Sequence, residues 1–253
     1  MKTFDLYAAH YDLLYGGKDY ADEAAWVHRL LPASVSDLLE LGCGTGGHAA
    51  ELAALGCTVL GVDLSLEMVG RAHARRAALP AAVAQRLTFA QGDARHFRVG
   101  RNFGAVISLF HVASYQATNA DLHDYLATAR AHLVPGGYFV FDFWYGPAVL
   151  SDRPRQVVRE VADERVEVRR ETTPTVRVND NCVDVRFDVS LRARDGGAQH
   201  AFHEIHTMRY LFLPELQAFL TQAGFVFRQA RAWLREGAPD DTTWYACVVA
   251  EAR

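Results

Sequence analysis

Leu38-Leu39-Glu40-Leu41-Gly42-Cys43-Gly44-Thr45-Gly46-Gly47 decides the fold of this 253-residue chain. Residues 38–41 form a short apolar run that stops at Gly42, the pattern of a buried strand reaching a turn. His48 to Leu55 continue at helical spacing, and Gly56 stops that helix. Glycine suits such a bend because the backbone must turn tightly and lie against a ligand with no Cβ in the way. Gly42, Gly44 and Gly47 satisfy the GxGxxG spacing of a nucleotide-binding loop. The pattern alone is weak, so its surroundings must arbitrate.

Downstream the same rhythm repeats. Thr58–Val62 reads as a strand ending at Asp63, Leu66–Ala78 as a helix, and Arg86–Ala90 as a strand before Gly92-Asp93. Phe103–Phe110 reads as a strand, Ala120–Leu133 as a helix closed by Pro135-Gly136-Gly137, and Tyr138–Phe143 as an apolar strand. Such alternation predicts a parallel sheet covered on both faces. Upstream, Tyr7, Tyr11, Tyr15 and Tyr20 precede an amphipathic stretch, Ala21–Leu31, which predicts a helical cap over residues 1–36. The rhythm breaks near Trp144. From Gln156 to Tyr210 apolar residues alternate with polar ones, punctuated by Asn179-Asp180-Asn181 and Asp195-Gly196-Gly197, which predicts antiparallel strands joined by hairpins. Leu213–Ala223, with Pro214 in its first turn, returns to a helix. Phe225–Leu234 and Tyr245–Ala252 read as a closing antiparallel pair. The expected division is a cap over 1–36, a nucleotide-binding domain over 37–150 and 211–253, and an inserted antiparallel sheet over 151–210.

Composition removes several functions. Half the residues are hydrophobic and 22% are charged, as in an ordinary globular protein. A net charge of -4 gives no footprint for nucleic acid. The stretch Arg153–Arg170 interleaves Arg with Glu and Asp and reads as a solvated strand face, with a phosphate site as the alternative. Cys43, Cys57, Cys182 and Cys247 show no CxxC spacing, so neither a zinc site nor a disulfide framework is expected. No apolar h-region and no run of about 20 apolar residues is visible, so no membrane segment is expected and the cytoplasm is the default. His203 and His206 would face opposite sides of a strand, which argues against a shared metal, and with His200 and Glu204 they read as sheet surface. Phe187, Phe202 and Tyr210 could support either a dimer face or a lid.

Two acids bear on the ligand. Glu40, two residues before Gly42, would repel a pyrophosphate but suits the cationic methionine end of S-adenosylmethionine (SAM), directly or through water. Gly92-Asp93-Ala94 follows the third strand, where Asp93 could accept a hydrogen bond from the adenine amino group. Asp63, 21 positions after Gly42, is placed to accept ribose hydroxyls for SAM or NAD alike. Its plainer reading is a helix N-cap. An NAD-dependent oxidoreductase and a non-catalytic SAM-binding module therefore stand as alternatives.

Glu40 to Gly46, with Asp63, Asp93 and Leu133-Val134-Pro135-Gly136-Gly137, resembles the class I SAM-dependent methyltransferases. Tyr11-Asp12-Leu13-Leu14-Tyr15, Lys18 to Ala24, Gly92 to Phe97, Ser108-Leu109-Phe110 and Asp142-Phe143-Trp144 are similar to the amino-sugar N,N-dimethyltransferases of macrolide deoxysugar pathways. The resemblance implies a Rossmann-like α/β fold, a seven-stranded mostly parallel sheet, an inserted antiparallel sheet after the fifth strand, and a homodimer through that insert. It implies SAM as cofactor, S-adenosylhomocysteine (SAH) as product, and methylation of a small soluble acceptor, at an amine or a hydroxyl. The loop at Gly16-Gly17 is shorter than in that family and offers no arginine for the SAM carboxylate.

The cofactor set expected is Tyr20, Glu40, Gly42, Gly44, Gly46, Asp63, Leu64, Met68, Gly92, Asp93, Ala94 and Leu109. Acceptors should bind at the rim where the fourth and fifth strands end. Candidates there are His111 and Tyr115 past strand four, and Asp142, Trp144 and Tyr145 at strand five. Tyr11, Tyr15 and His111 are the candidate catalytic residues, since phenol and imidazole can orient or deprotonate an acceptor. Their plainer readings are a packed helix face for the tyrosines, a hydrogen-bonded core histidine for His111 and a strand-end cap for Asp142.

Overall fold

Leu38, Leu39 and Leu41 are fully buried because the strand that holds them is covered on both faces. Successive side chains point to opposite sides of a strand, so Leu39 and Leu41 enter one core and Leu38 the other. The computed structural model describes residues 11–195, 197 and 199–253. Tyr7 lies outside the described residues.

Five parallel strands, β1 (Asp37–Leu41), β2 (Thr58–Asp63), β3 (Leu87–Gln91), β4 (Phe103–Ser108) and β5 (Leu133–Tyr145), lie in the order β3-β2-β1-β4-β5. Farther along the chain, β11 (Tyr245–Ala252) pairs antiparallel with β5, and β10 (Phe225–Ala232) pairs antiparallel with β11. Seven strands thus form the main sheet, and β11 alone runs against the others. On one face Tyr125, Phe139, Phe141, Phe143 and Phe225 form an aromatic stack with all five rings buried.

Helices occupy the crossovers. In chain order they are α1 (Tyr11–Leu14), α2 (Tyr20–Arg29), α3 (Gly47–Ala54), α4 (Leu66–Ala77), α5 (Ala81–Ala84), α6 (Asn119–Ala131), α7 (Gly146–Ser151) and α8 (Leu213–Gln222). Ser65 caps α4 by accepting from Met68 N, and Thr118 with Asp121 forms a capping box on α6. Among the described residues no helix is long and apolar enough to cross a membrane.

The insert is an antiparallel meander of β6 (Val157–Ala162), β7 (Val166–Arg177), β8 (Cys182–Ala193) and β9 (Gln199–Leu211). Its last strand ends parallel to β5, with Trp144 opposite Tyr210 and Tyr145 opposite Leu211. This short ladder anchors the insert to the main sheet. The cap sits on the insert: Leu14 is fully buried against Val168 and Val189.

Several boundaries differ from the sequence reading. Leu133 begins β5 instead of ending α6, because the helix closes at Ala131 and the Pro135-Gly136 turn belongs to the strand. Strand four stops at Ser108, since Phe110 and His111 take the left-handed conformation with φ of 64° and 66°. The short helices α5 and α7 were not expected; four and six residues give too little period to read.

Candidate active site

The glycine loop closes on the second strand through two backbone bonds, Gly42 N and Cys43 N both donating to Val62 O at 2.7 and 2.9 Å. Gly42 has φ +77°, and a Cβ there would stand 2.4 Å from Val112 Cγ2. Gly44, at φ +54°, has open space on its Cβ side, and its N–H donates to Asp63 Oδ2 at 2.8 Å. The loop therefore packs at Gly42 and opens onto a cavity at Gly44. Gly46 is a packing position: a Cβ there would meet the Phe89 ring at 2.8 Å, and the residue does not line the cavity.

The cavity holds about 360 Å³, within the range of small-ligand sites. At the tips of β1–β3 it is lined by Tyr20, Gly42, Gly44, Asp63, Leu64, Met68, Gly92, Asp93 and Ala94, with Leu109 beyond β4. At the other end stand Tyr11, Tyr15, His111, Tyr115 and Trp144, facing Val185, Phe187, His206 and Met208 of the insert. Ten of the twelve expected cofactor residues thus share one wall; Glu40 and Gly46 stand behind it.

The acids are handled differently. Asp63 accepts from Gly44 N and Ser65 N, and burial raises its pKa above the ordinary carboxylate range. Ser65 caps α4, so Asp63 is not the N-cap. Asp93 is bound by the Arg95 guanidinium, which also reaches Asp121 at 2.6 Å and holds the Asp93 carboxyl below its ordinary value. Glu40 corrects the sequence reading. It is buried behind the wall instead of on it, its Oε2 has no hydrogen-bond partner among the described residues, and burial together with the Asp63 charge pushes its carboxyl up to about 8. At neutral pH this group is mostly neutral, and a cation brought close to it would favour its ionised form.

Asp142 is a second correction. Expected at the acceptor rim, it is fully buried beneath His111. Both its oxygens accept from His111 N at 3.1 Å, and Oδ2 lies 2.6 Å from His111 Nδ1. The His111 ring stacks on Tyr245 with centroids 4.4 Å apart. The imidazole thus lies over Asp142 and against the Tyr245 ring while lining the cavity. Tyr145 does not line the cavity and packs on the Phe143 side of the sheet. Tyr11 and Tyr15 touch each other, with ring centroids 4.7 Å apart, and both reach the cavity.

Sequence reasoning missed a polar cluster behind Tyr20. Lys18 Nζ binds both Glu23 oxygens at 2.5 and 2.6 Å, Glu23 Oε2 lies 2.8 Å from His48 Nε2, and His48 Nδ1 lies 3.8 Å from Glu40 Oε1. The one available signal was His48 directly after the glycine loop, with Glu23 on the buried face of α2. Arg170, counted in a solvated stretch, is buried against Tyr15 and the Phe187 ring. His206, read as sheet surface, is buried and lines the cavity, while His203 is exposed on the opposite face.

Comparisons with known proteins agree with this geometry. A family profile described as "Methyltransferase domain" matches residues 38–137. Over 237 residues the chain is 35% identical to the dTDP-3-amino-3,4,6-trideoxy-alpha-D-glucopyranose N,N-dimethyltransferase of Streptomyces venezuelae, with 90% of this chain and 92% of that protein covered. The crystal structure of Streptomyces venezuelae DesVI superposes with a TM-score of 0.78 at 27% identity, covering 98% of each chain. SAM-bound CalS10, an amino pentose methyltransferase from Micromonospora echinaspora, superposes with a TM-score of 0.74 at 26% identity, covering 100% of this chain and 99% of that one.

Fold and cavity together define a class I SAM-dependent methyltransferase with SAM as its cofactor. The chain belongs to the methyltransferase family that includes this N,N-dimethyltransferase. The oxidoreductase and binding-module alternatives fall with that assignment.

The Asp63→Ala variant is expected to lose roughly 1–3 kcal/mol of SAH affinity by titration calorimetry; unchanged affinity would remove Asp63 from the ligand. Glu40 gives a pH prediction. Its carboxyl moves from 4.5 to about 8 on folding, so the folded state keeps a proton that the unfolded chain has lost. Stability then falls by up to about 1.4 kcal/mol per unit as pH rises through that window. Glu40→Gln should flatten this slope in denaturant titrations, and an identical slope in the variant would refute the shift.

Proposed function

We propose that the protein methylates the amino group of a deoxy amino sugar carried on a nucleoside diphosphate. The observation that carries this reading is that likeness to the Streptomyces venezuelae N,N-dimethyltransferase covers 90% of the chain, and so takes in much of the insert that walls the acceptor end. The acceptor end also suits a polar molecule. Trp144 Nε1 is buried with no hydrogen-bond partner among the described residues, so an indole N–H is available to a hydroxyl.

SAM supplies a methyl group already activated on a sulfonium. The chain supplies placement. Asp63 takes the ribose hydroxyls, Gly92, Asp93 and Ala94 take the adenine, and Leu64, Met68 and Leu109 form its apolar walls. Gly42 and Gly44 let the backbone approach the methionine part, and Tyr20 closes that end. Glu40 answers the methionine charge from one layer behind, with His48 beside it. Tyr11 and Tyr15 orient the acceptor nitrogen, and their ring faces favour a cation. An amine arrives as an ammonium and must lose a proton before it can attack. His111 takes that proton on Nε2, since Nδ1 lies against Asp142. Phe187, Met208 and Trp144 exclude water around the transfer.

The division into cap, main domain and insert follows the same reading: the cap and the insert cover the site, and the main sheet holds the cofactor. Val158 and Ile205 are exposed on the face of the insert turned away from the cavity, and this reading includes a homodimer through that face. All four cysteines are free, which supports a reducing compartment, the cytoplasm.

Incubation with SAM and dTDP-3-amino-3,4,6-trideoxyglucose, read by mass spectrometry, is expected to show one or two methyl groups on nitrogen. Transfer to a hydroxyl acceptor with none to this amine would overturn the reading. His111→Ala should lower turnover about a hundredfold or more with SAH affinity kept. Light scattering after size exclusion should give a dimer that Ile205→Asp dissociates; a monomeric wild type would remove the interface.

A further inference from the structure

Across the cavity from the glycine loop, the buried His206 and the half-buried Tyr115 and Glu204 form a chain of contacts that the scheme above does not use. Tyr115 Oη lies 2.9 Å from His206 Nδ1, and His206 Nε2 lies 3.1 Å from Glu204 Oε2. Tyr115 belongs to the 3-10 turn after β4, whereas His206 and Glu204 share one face of β9, two residues apart. The side chains of His206 and Glu204 are 2% and 8% exposed, so water does not compete for these bonds. The Phe187 ring meets the His206 ring edge-on at 4.8 Å. Tyr115 and His206 line the cavity and Glu204 stands behind them.

The direction of each bond follows from what each group can give. An ionised carboxylate only accepts, so His206 turns an N–H on Nε2 toward Glu204. The other ring nitrogen of a neutral imidazole then carries a lone pair, so Tyr115 must donate its single O–H to Nδ1. Tyr115 Oη consequently gives its proton to His206 and keeps its accepting lone pairs. Among the described residues, the charged or titratable groups that bear on it include Tyr15 from the cap, Asp63 from β2 and Arg170 from β7. Two carboxylate–histidine pairs therefore flank one acceptor space, His111 with Asp142 from the sheet tips and His206 with Glu204 from the insert.

We propose that Tyr115 binds the acceptor nitrogen as a hydrogen-bond acceptor, and that Glu204 and His206 are positioning residues that fix its polarity and drain the proton each methylation releases. This rests on the amine reading above. In the transfer the nitrogen lone pair forms the N–C bond, the S–C bond breaks, and its electron pair stays on sulfur. The product is an alkylammonium. Its N–H proton passes to Tyr115 Oη as the phenolic proton passes to His206 Nδ1. The balance is a neutral alkylamine, a neutral Tyr115 and an imidazolium beside the Glu204 carboxylate. Loss of that proton from the His206 imidazolium through the cavity as the products leave returns Tyr115 to its accepting state, and the neutral amine released is what a second methylation requires.

The test uses the full chain with SAH. Nitrogen-15 spectra of labelled histidine, with His206 assigned by its loss in His206→Gln, should show the proton on Nε2; a proton on Nδ1 would overturn the polarity. With dTDP-3-amino-3,4,6-trideoxyglucose as acceptor, Glu204→Gln should lower kcat about a hundredfold, displace the limb of the pH profile and raise the ratio of monomethyl to dimethyl product. Tyr115→Phe should act similarly, and combining the two should add little. A SAH thermal shift equal to that of the wild type shows that each variant folds. Unmoved pH profile and product ratio, or multiplying effects, would overturn the relay. A wild type that leaves this amine untouched removes the amine reading and the proton role together, and the tautomer alone then judges how Tyr115 is held.

Discussion

At Gly42 the backbone runs so close to Val112 that even a methyl group could not be inserted, and most of the site depends on that contact. Val112 opens the short 3-10 turn that also carries Tyr115, with His111 immediately before it. The glycine loop and the turn that carries His111 and Tyr115 are therefore registered against each other by direct packing. Methyl transfer in line with a sulfur–carbon bond depends on alignment at near-attack distance, and such alignment can supply roughly 7–11 kcal/mol of the barrier. Interiors this dense transmit displacement. A larger residue at Gly42 would push the turn that carries His111 and Tyr115 away from the glycine loop.

Four acids gather at the strand tips, and each is kept by a different device. Asp63 has two backbone N–H donors, Asp93 has Arg95, Asp142 has His111, and Glu40 is held close to neutral. Of the four, Asp63 and Asp93 line the cavity, with the Arg95 guanidinium beside Asp93, while Asp142 and the latent Glu40 carboxyl stand behind the wall.

The insert and the cap complete what the main sheet leaves open. Leu14 seats the cap on Val168 and Val189, and Arg170 donates to Tyr15 Oη at 3.1 Å. This fixes a tyrosine from the start of the chain over a cavity whose floor lies a hundred residues later. The buried guanidinium is held by the Tyr15 hydroxyl and by the faces of the Tyr15 and Phe187 rings. The acceptor end is accordingly a junction of three parts of the sequence, each stabilised by the other two.

The main sheet was legible in the sequence because its code is local. Apolar runs ending in Gly42, Asp63 and Asp93 state strand, stop and ligand-facing acid within a few residues, and the period-2 stretch after Gln156 states the insert in the same way. The residues at those stops line one end of the cavity. Asp142, Glu40, Arg170 and His206 were misplaced for a common reason: which neighbours surround a polar side chain depends on strands far apart in the chain. Strand alternation places His206 on the opposite face from His203, but only the docking of β9 beside β5 turns that face toward Tyr115 and the cavity. Sequence by itself thus determined the fold, the cofactor loop and the identity of the acids, because strand period and glycine geometry act over short range. Tertiary structure alone decided which acids are neutral, which histidines are held and what faces the acceptor, because burial and hydrogen-bond partners are set by packing across the chain.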